Sequence, residues 1–478
     1  MPNPKPLSRL RPLAVPLTAA SLGVLLGVFG TTSPARANGR FPRADQLVAT
    51  PGQPDQLVLR ATFGLLVSRD AGTSWDWICE EAIGFTGEED PAVAILSGGR
   101  LLAGLSAGLA HTSGNYCSWQ FAELSGTPLS STPPPDAPPP GKQPDSPIEL
   151  VDLTVRPLQP ESAIALAWER TDANAFGYRS LFFSTNDAGN TWASYGTGID
   201  PSVLVLTVDV APSDPRRLYA SGIRPAARTA ALFVSTDDAQ TWTERAAPFD
   251  SPREQGLYIA AVDPISPERV YLRSSGASSS RLVVTSDAGL SFEVLFSGRS
   301  LTGFALSPDG SEIFVGGAED GLWWAGRDER VFEQRSSIPI LCLLSLPDLL
   351  YACSNEQRGF ALGVSSDGGR QFTAKLHLSE VRGPLACAAE TSGGVCARAW
   401  PAIAERLGVP AEQSPPSGAA GAPGTGTPAP SAPTANTGGG CSVGSAPIAG
   451  RSFPDCAFLF GIGMAFVFRA ARRASLSP

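Results

Sequence analysis

Ser365–Phe372 reads SSDGGRQF, and four further stretches repeat its pattern. Ser68–Trp75 is SRDAGTSW, Thr185–Trp192 is TNDAGNTW, Ser235–Trp242 is STDDAQTW and Thr285–Phe292 is TSDAGLSF. The common form is Ser/Thr-x-Asp-x-Gly-x-Ser/Thr-Trp/Phe, with Ala239 in place of the glycine and Gln371 in place of the second hydroxyl. A short carboxylate followed by glycine is hairpin-turn chemistry. The Asp side chain accepts from nearby backbone N–H groups, and Gly supplies the positive φ of the reversal. The hydroxyls satisfy other turn groups, and the aromatic opens the next strand and packs on the neighbouring layer. Each copy is therefore expected to join two antiparallel strands, as in RLVV–TSDAGL–SFEVLF around Thr285.

The groups that carry this reading are Ser68, Asp70, Gly72 and Trp75, then Asp187, Gly189 and Trp192, and Asp237 with Trp242. Asp287, Gly289 and Phe292, and Asp367, Gly369 and Phe372, complete the set. A catalytic or metal-binding role for the aspartates competes with a role as turn staples. The staple reading is preferred, because turns repeated around a ring cannot all face one site.

Working outward, seven units of similar length are visible between Phe41 and Leu378. They start near Gln46, Pro91, Ile148, Ser202, Gly256, Ser300 and Ile338. The second ends in a degraded copy, Thr112–Trp119, with Gly114 for the Asp and Tyr116 for the Gly. The sixth ends in AGRDERVF, where the pattern has almost vanished. Most units open with an apolar strand, a Pro-containing turn and another strand, as in LTVDVAPSDPRRLYASG. Four short strands per unit, repeated, predict an all-β, seven-bladed β-propeller over 38–380.

The eight-residue pattern resembles the Asp-box, or BNR repeat, of sialidases and related propellers. That resemblance implies the propeller fold and puts glycoside hydrolysis among the activities to test. A sialidase site implies arginines for the substrate carboxylate, a Tyr–Glu nucleophile pair, an acid/base Asp and a Phe/Tyr-Arg-Ile-Pro motif opening the first blade. Here the nearest string is Phe41-Pro42-Arg43, which does not match, and none of the seven tyrosines has a recognisable nucleophile context. Retaining glycosidases need two carboxylates about 5 Å apart, a pairing across blades that linear sequence does not reveal. Xyloglucan hydrolases with the same repeat use two propellers, and this chain holds one. No nucleophile elbow, P-loop or dinucleotide fingerprint is present.

Both ends read as targeting sequence. Lys5, Arg9 and Arg11 precede an apolar run from Leu13 to Phe29, and Ala35-Arg36-Ala37 forms a cleavage site. Residues 1–37 are thus expected to be a secretory signal peptide. The formal charge of the chain is −9; removing the four basic residues of that segment leaves 32 basic against 45 acidic, or −13. An acidic body argues against nucleic acid as a partner. His111 and His377 have no ligand-spaced Cys or carboxylates around them, so neither a metal nor a cofactor is expected.

Eight cysteines in an exported chain favour disulfides. Cys342 and Cys353 flank a Pro347-Asp348 turn and are expected to pair across a hairpin. Cys387 and Cys396 bracket a Gly-rich loop, which leaves Cys79 to pair with Cys117; swapped pairings among the last four remain open. Residues 126–147 are a Pro-rich loop. Residues 381–410 are expected to form a disulfide-tied cap whose short helix is closed by Gly408. A Pro/Gly/Ala/Thr linker over 411–440 is too poor in apolar residues to build a core.

Residues 441–478 begin with Cys441 and include the apolar run Cys456–Phe468, followed by Arg469, Arg472 and Arg473. This order resembles the MYXO-CTERM type of sorting signal on myxobacterial surface proteins. The resemblance implies sorting machinery as a partner, processing or modification at Cys441, and display on the outer membrane, cell surface or outside the cell. The apolar run is shorter than the roughly 20 residues of a standard span, which suits a transient anchor.

Surface candidates are the acidic segment with Glu80, Glu81, Glu88, Glu89 and Asp90, and Trp323-Trp324 beside Glu319 and Asp320. Acid plus aromatic suits glycan or Ca²⁺-assisted binding; solvated loop charge and packing are the plainer reading. The favoured function is a non-catalytic surface propeller binding a glycan or protein at its funnel or loops. The alternatives are a periplasmic assembly or maturation factor and a sialidase-like glycoside hydrolase.

Overall fold

Seven antiparallel sheets of four strands follow one another along the chain, at 44–78, 92–121, 148–194, 204–247, 254–298, 301–336 and 342–376. The structure, a computed structural model, describes residues 40–85, 89–112, 114–124, 148–171, 177–251 and 253–410. The expected signal peptide, Glu88, the expected Pro-rich loop and linker, Cys441 and the arginines Arg469, Arg472 and Arg473 lie outside the described residues.

Within every sheet the strands pair in chain order, first with second, second with third, third with fourth. The first strands touch their neighbours all the way round, including Cys342–Leu346 of the last sheet against Ala44–Thr50 of the first. The protein is a seven-bladed β-propeller. First strands are covered on both faces and read as near-continuous apolar runs, such as LVLTVDVA at Leu204–Ala211. Apart from blade 1, whose Asp76–Ile78 is covered, fourth strands are more exposed, such as TERAA at Thr243–Ala247, which is exposed or half-buried throughout.

Among the described residues no strand is exchanged between the first and last blades, and no sheet hydrogen bonds cross the seam. The chain after blade 7 takes on that task. Residues 382–385 run parallel to the outer strand of blade 1: Trp77 N donates to Gly383 O (2.7 Å), Arg382 N to Trp75 O (3.0 Å) and Leu385 N to Trp77 O (2.8 Å). The helix Cys396–Leu407 follows, ended by Gly408 at φ 73° as expected. Its buried stripe of Cys396, Trp400, Ile403, Ala404 and Leu407 has helical spacing. Trp400 lies 5.6 Å from the Trp77 ring. This stripe joins one core with Leu47 of blade 1 and Leu344 and Tyr351 of blade 7.

The disulfides are Cys79–Cys396, Cys117–Cys387 and Cys342–Cys353. The hairpin pair is as expected. The Cys79–Cys117 and Cys387–Cys396 pairings are not; they are exchanged between the two sets. The two cysteines of the C-terminal loop are nine residues apart, but each faces a different blade. Cys396 meets the end of the outer strand of blade 1, and Cys387 meets the third turn of blade 2. Gly393 N donates to Cys117 O (2.8 Å) and Ser392 Oγ accepts from Trp119 N (2.8 Å), which fixes the loop there. Three disulfides mark an oxidising, exported compartment. Among the described residues, no helix is long and apolar enough to cross a membrane.

Candidate functional site

The five repeated stretches all form the hairpin between third and fourth strands, and their side chains do the same work in each. In Ser68–Trp75, Ser68 Oγ donates to Asp70 Oδ1 (2.8 Å) and accepts from Gly72 N (2.9 Å). Asp70 then accepts Ser74 N (2.9 Å) and Ser74 Oγ (2.6 Å). The set recurs at Asp187 with Thr185 and Thr191, at Asp237 with Ser235 and Thr241, and at Asp287 with Thr285 and Ser291. At Asp367 the amides of Arg370 and Gln371 still donate (3.0 Å each), but Gln371 brings no hydroxyl to the second oxygen.

Four of the five turns are also hydrogen-bonded to the first turn of their own blade: Ala71 N to Asp55 O, Ala188 N to Glu161 O, Asp238 N to Arg216 O and Ala288 N to Glu268 O, all 2.8–2.9 Å. In four of the five turns both carboxylate oxygens of the aspartate are held within the turn, and at Asp367 one is.

These contacts hold the carboxyls in the charged form. Burial pushes Asp187 up, but the amide and hydroxyl of Thr191 and the Thr185 hydroxyl outweigh it and hold it at about 2. The Thr241 hydroxyl and amide, then the Ser235 hydroxyl, hold Asp237 at about 2. Asp287 and Asp367 lie below the usual range for the same reasons, led by the Ser291 hydroxyl and the Gln371 amide respectively.

The glycine position is tight as well as left-handed. A Cβ at Gly369, φ 85°, would stand 2.3 Å from Leu322 of blade 6, and one at Gly289 would stand 2.9 Å from Arg245 of blade 4. Blade 4 carries Ala239 there at φ 64°, and blade 3 makes room for it. Gly196 faces it, and a Cβ on Gly196 would lie 2.6 Å from that of Ala239. The degraded turn of blade 2 keeps Tyr116 at φ 61°, with Trp119 Nε1 donating to Tyr116 O (3.2 Å).

The inner strands carry a second set of polar staples that their apolar sequence hides. Gln46 exchanges two bonds with Val93 of blade 2. Asp152 Oδ2 accepts Val208 N (3.0 Å) from blade 3 to blade 4, and Thr207 Oγ1 accepts Ile259 N (2.9 Å) from blade 4 to blade 5. Asp209 accepts from Thr154 Oγ1 of blade 3 (3.0 Å) and from its neighbour Val210 N (2.8 Å), with a further bond from the backbone of Val262 in blade 5. Desolvation, assisted by the charge of Asp152 and opposed by these bonds, pushes its carboxyl up to about 7. Both carboxylates brace blade to blade.

A Tyr–carboxylate–Arg cluster stands on the hairpin face, beside a cavity of about 450 Å³. Arg156 donates to Tyr195 Oη (2.6 Å) and Asp238 Oδ1 (2.8 Å), and Tyr195 donates to Asp238 (2.6 Å). Burial and the bond to Asp238 push the phenol up, so Tyr195 is held as a donor and not as a nucleophile.

The flagged loops are also committed. Trp323 Nε1 donates to Asp320 O (2.8 Å) and its ring lies 5.3 Å from Phe296; Trp324 is covered by the Arg335 guanidinium at 3.9 Å. Glu319 pairs with Arg299 (2.9 Å), and Asp320 accepts Arg299 N and Ser300 N. Asp90 pairs with Arg40 (2.9 Å), and Glu80 sits buried in the short helix Glu80–Ile83. His111 is held neutral, at about 4, by burial and by Arg100. Among the described residues no group of three or more His, Cys, Asp or Glu is placed to hold a metal ion.

One cavity has free chemistry. It measures about 720 Å³ and opens on the face opposite the hairpins, across the seam of blades 6, 7 and 1. The segment leading into blade 1 supplies Phe41, Pro42 and Arg43, and the loop between second and third strands of blade 7 supplies Asn355, Glu356 and Arg358. Phe41 is 62% exposed. Glu356 Oε1 meets His377 Nδ1 at 3.1 Å, while Glu356 Oε2 and Arg43 Nε have no protein partner. Of its lining, only Glu319 stands among the surface candidates read from the sequence, because the other residues come from both ends of the repeat.

No family model matches the chain, and no curated protein does. Some solved structures are similar to it. An ancestral GH74 enzyme is similar at 16% identity and a TM-score of 0.46, over 70% of this chain, which spans 45% of that one. The Hadza microbial sialidase is similar at 12% identity and 0.40, over 62% and 71% of the two chains. YCF48 from Cyanidioschyzon merolae is similar at 12% and 0.41, over 66% and 93%.

Asp187→Ala and Asp287→Ala are each expected to loosen one hairpin at a cost of about 1 kcal/mol, given how exposed the turns are. The two costs should add, since the blades share no contact there. Denaturant titration of both single variants and the double variant measures this.

The carboxyls also set opposite pH slopes. The hairpin aspartates, depressed, contribute stability above about pH 4 that is lost as pH falls towards 2. Asp209, raised, contributes most below about pH 4 and loses that as pH rises to about 7. Asp209→Asn should therefore match the wild type at pH 4 and exceed it at pH 8 by on the order of 2 kcal/mol, read from melts at the two pH values.

Proposed function

We propose that the repeated hairpins are Asp-boxes and that the chain is an exported, non-catalytic propeller holding a glycan or protein ligand in the cavity at the seam. The observation that carries this reading is the commitment of the polar groups. Asp152, Asp209, Thr154 and Thr207 bind the backbone or side chains of neighbouring blades, whereas Glu356 Oε2 and Arg43 Nε in the cavity have no protein partner. A cavity of this size, part apolar and part charged, suits a ligand of a few sugar rings or side chains.

The second reading is a glycoside hydrolase. It is favoured by one observation, the Asp209 carboxyl pushed up to about 7 near Asp152, since a neutral acid near a second carboxyl is the pairing such chemistry needs. Binding of residues 38–410 to a glycan array, repeated with Glu356→Ala and Arg358→Ala, tests both. The expected result is at least tenfold weaker binding by the cavity variants at unchanged melting temperature. Turnover of arrayed glycans that Asp209→Asn abolishes would establish the hydrolase instead.

Display is the other half of the proposal, and it rests on the order of Cys441, the apolar run and Arg469, Arg472 and Arg473. Positive charge after an apolar run holds that end on the cytoplasmic side. Replacing the three arginines by alanine should release or mislocalise the propeller with its melting unchanged. Normal amounts on cells carrying the triple variant would remove the sorting role.

A further inference from the structure

Six of the seven blade interfaces lie between consecutive stretches of chain, and the seventh, between blades 7 and 1, does not. Sheet hydrogen bonding does not cross it either, because each end blade is completed by its own four strands. Besides side-chain packing and one bond from Trp75 Nε1 to Lys375 O (3.2 Å), what spans the seam among the described residues is the segment after blade 7. It lies along the outer strand of blade 1 at Trp77 and Gly383, pairs Arg382 with Asp76 (2.6 Å), stacks Trp400 near Trp77, and bonds covalently to blades 1 and 2.

The two bonds differ in access. Cys79 and Cys396 are 0% and 1% exposed, whereas Cys387 is half-buried on the loop surface. We propose that residues 382–409 are a latch that closes the ring in place of strand exchange. Reduction of Cys117–Cys387 and then of Cys79–Cys396 releases the latch and opens the propeller at the seam between blades 7 and 1. The physical reason is effective concentration. With the bridges intact, blade 1 and blade 7 are held together at short range; without them, the ends meet only through five intervening blades. Reduction by a dithiol such as dithiothreitol converts each bridge to two thiols and the reagent to its cyclic disulfide, so the step balances.

The test starts from folded, oxidised protein and adds dithiothreitol, with alkylation and mass analysis to report which bridge has opened. Hydrogen exchange is followed at Ala44–Thr50 and Cys342–Leu346, on either side of the seam, and at Leu204–Ala211 in blade 4. Expected are thiols at Cys117 and Cys387 first, then at Cys79 and Cys396. Exchange at the seam strands should become at least tenfold faster only after the second step, with blade 4 unchanged. The Cys117→Ser/Cys387→Ser variant should keep a closed seam until its remaining long-range bridge is reduced. Seam protection that survives loss of both bridges overturns the proposal, and so does loss of protection in all seven blades together. The Cys342→Ser/Cys353→Ser variant, which removes only a hairpin bond 11 residues apart, should keep its seam closed; an open seam there would also overturn it.

Discussion

A ring of blades must bring its last blade to its first, and everything else here depends on how that contact is made. Apolar packing supplies the attraction, in a single core that takes in Leu47, Trp77, Leu344, Tyr351 and Trp400. Packing is non-directional, so it does not by itself set the register between two blades that the chain has not linked. Direction comes from the short parallel run at Trp77 and Gly383 and from bonds to blades 1 and 2 that span 317 and 270 residues. Cross-links over such distances remove much of the freedom of the unfolded chain, an effect of about 2–5 kcal/mol for a native disulfide.

Between the other blades the same problem is solved locally. Bulges in the inner strands, at Ala44/Gln46 and Val205/Thr207, turn one polar side chain towards the next blade's backbone. Gln46 and Thr207 thereby meet groups that a flat pairing would leave to the core. The cost of burying such groups is offset only if each finds its partner, and here each does. The same logic explains why the carboxylates of this region do structural work.

The fold was legible in the sequence because a hairpin staple is a local device. Ser68, Asp70 and Ser74 lie within seven residues and describe their own turn, so the pattern could be read without knowing what surrounds it. The cap helix was legible for the same reason, as a short stretch closed by Gly408. The partners of Cys79 and Cys117 were not, because nothing near either residue announces a segment returning from the far end of the chain. Asp152, Thr207 and Asp209 were hidden by strands that otherwise read as core. The cavity joins Arg43 to Glu356 through ring closure alone, and no periodicity marks it.

The pairing of Gly196 with Ala239 bears on how such a ring changes over generations. Copies of one unit look like parts that can be traded, since each carries its own strands and its own turn. Here the fourth copy fits only because the third has given up a side chain opposite it. Moving that copy next to any neighbour with a Cβ at this place would force two backbones apart. Inheritance in this chain therefore acts on adjacent pairs, and a substitution in one repeat fixes what the repeat before it is free to become.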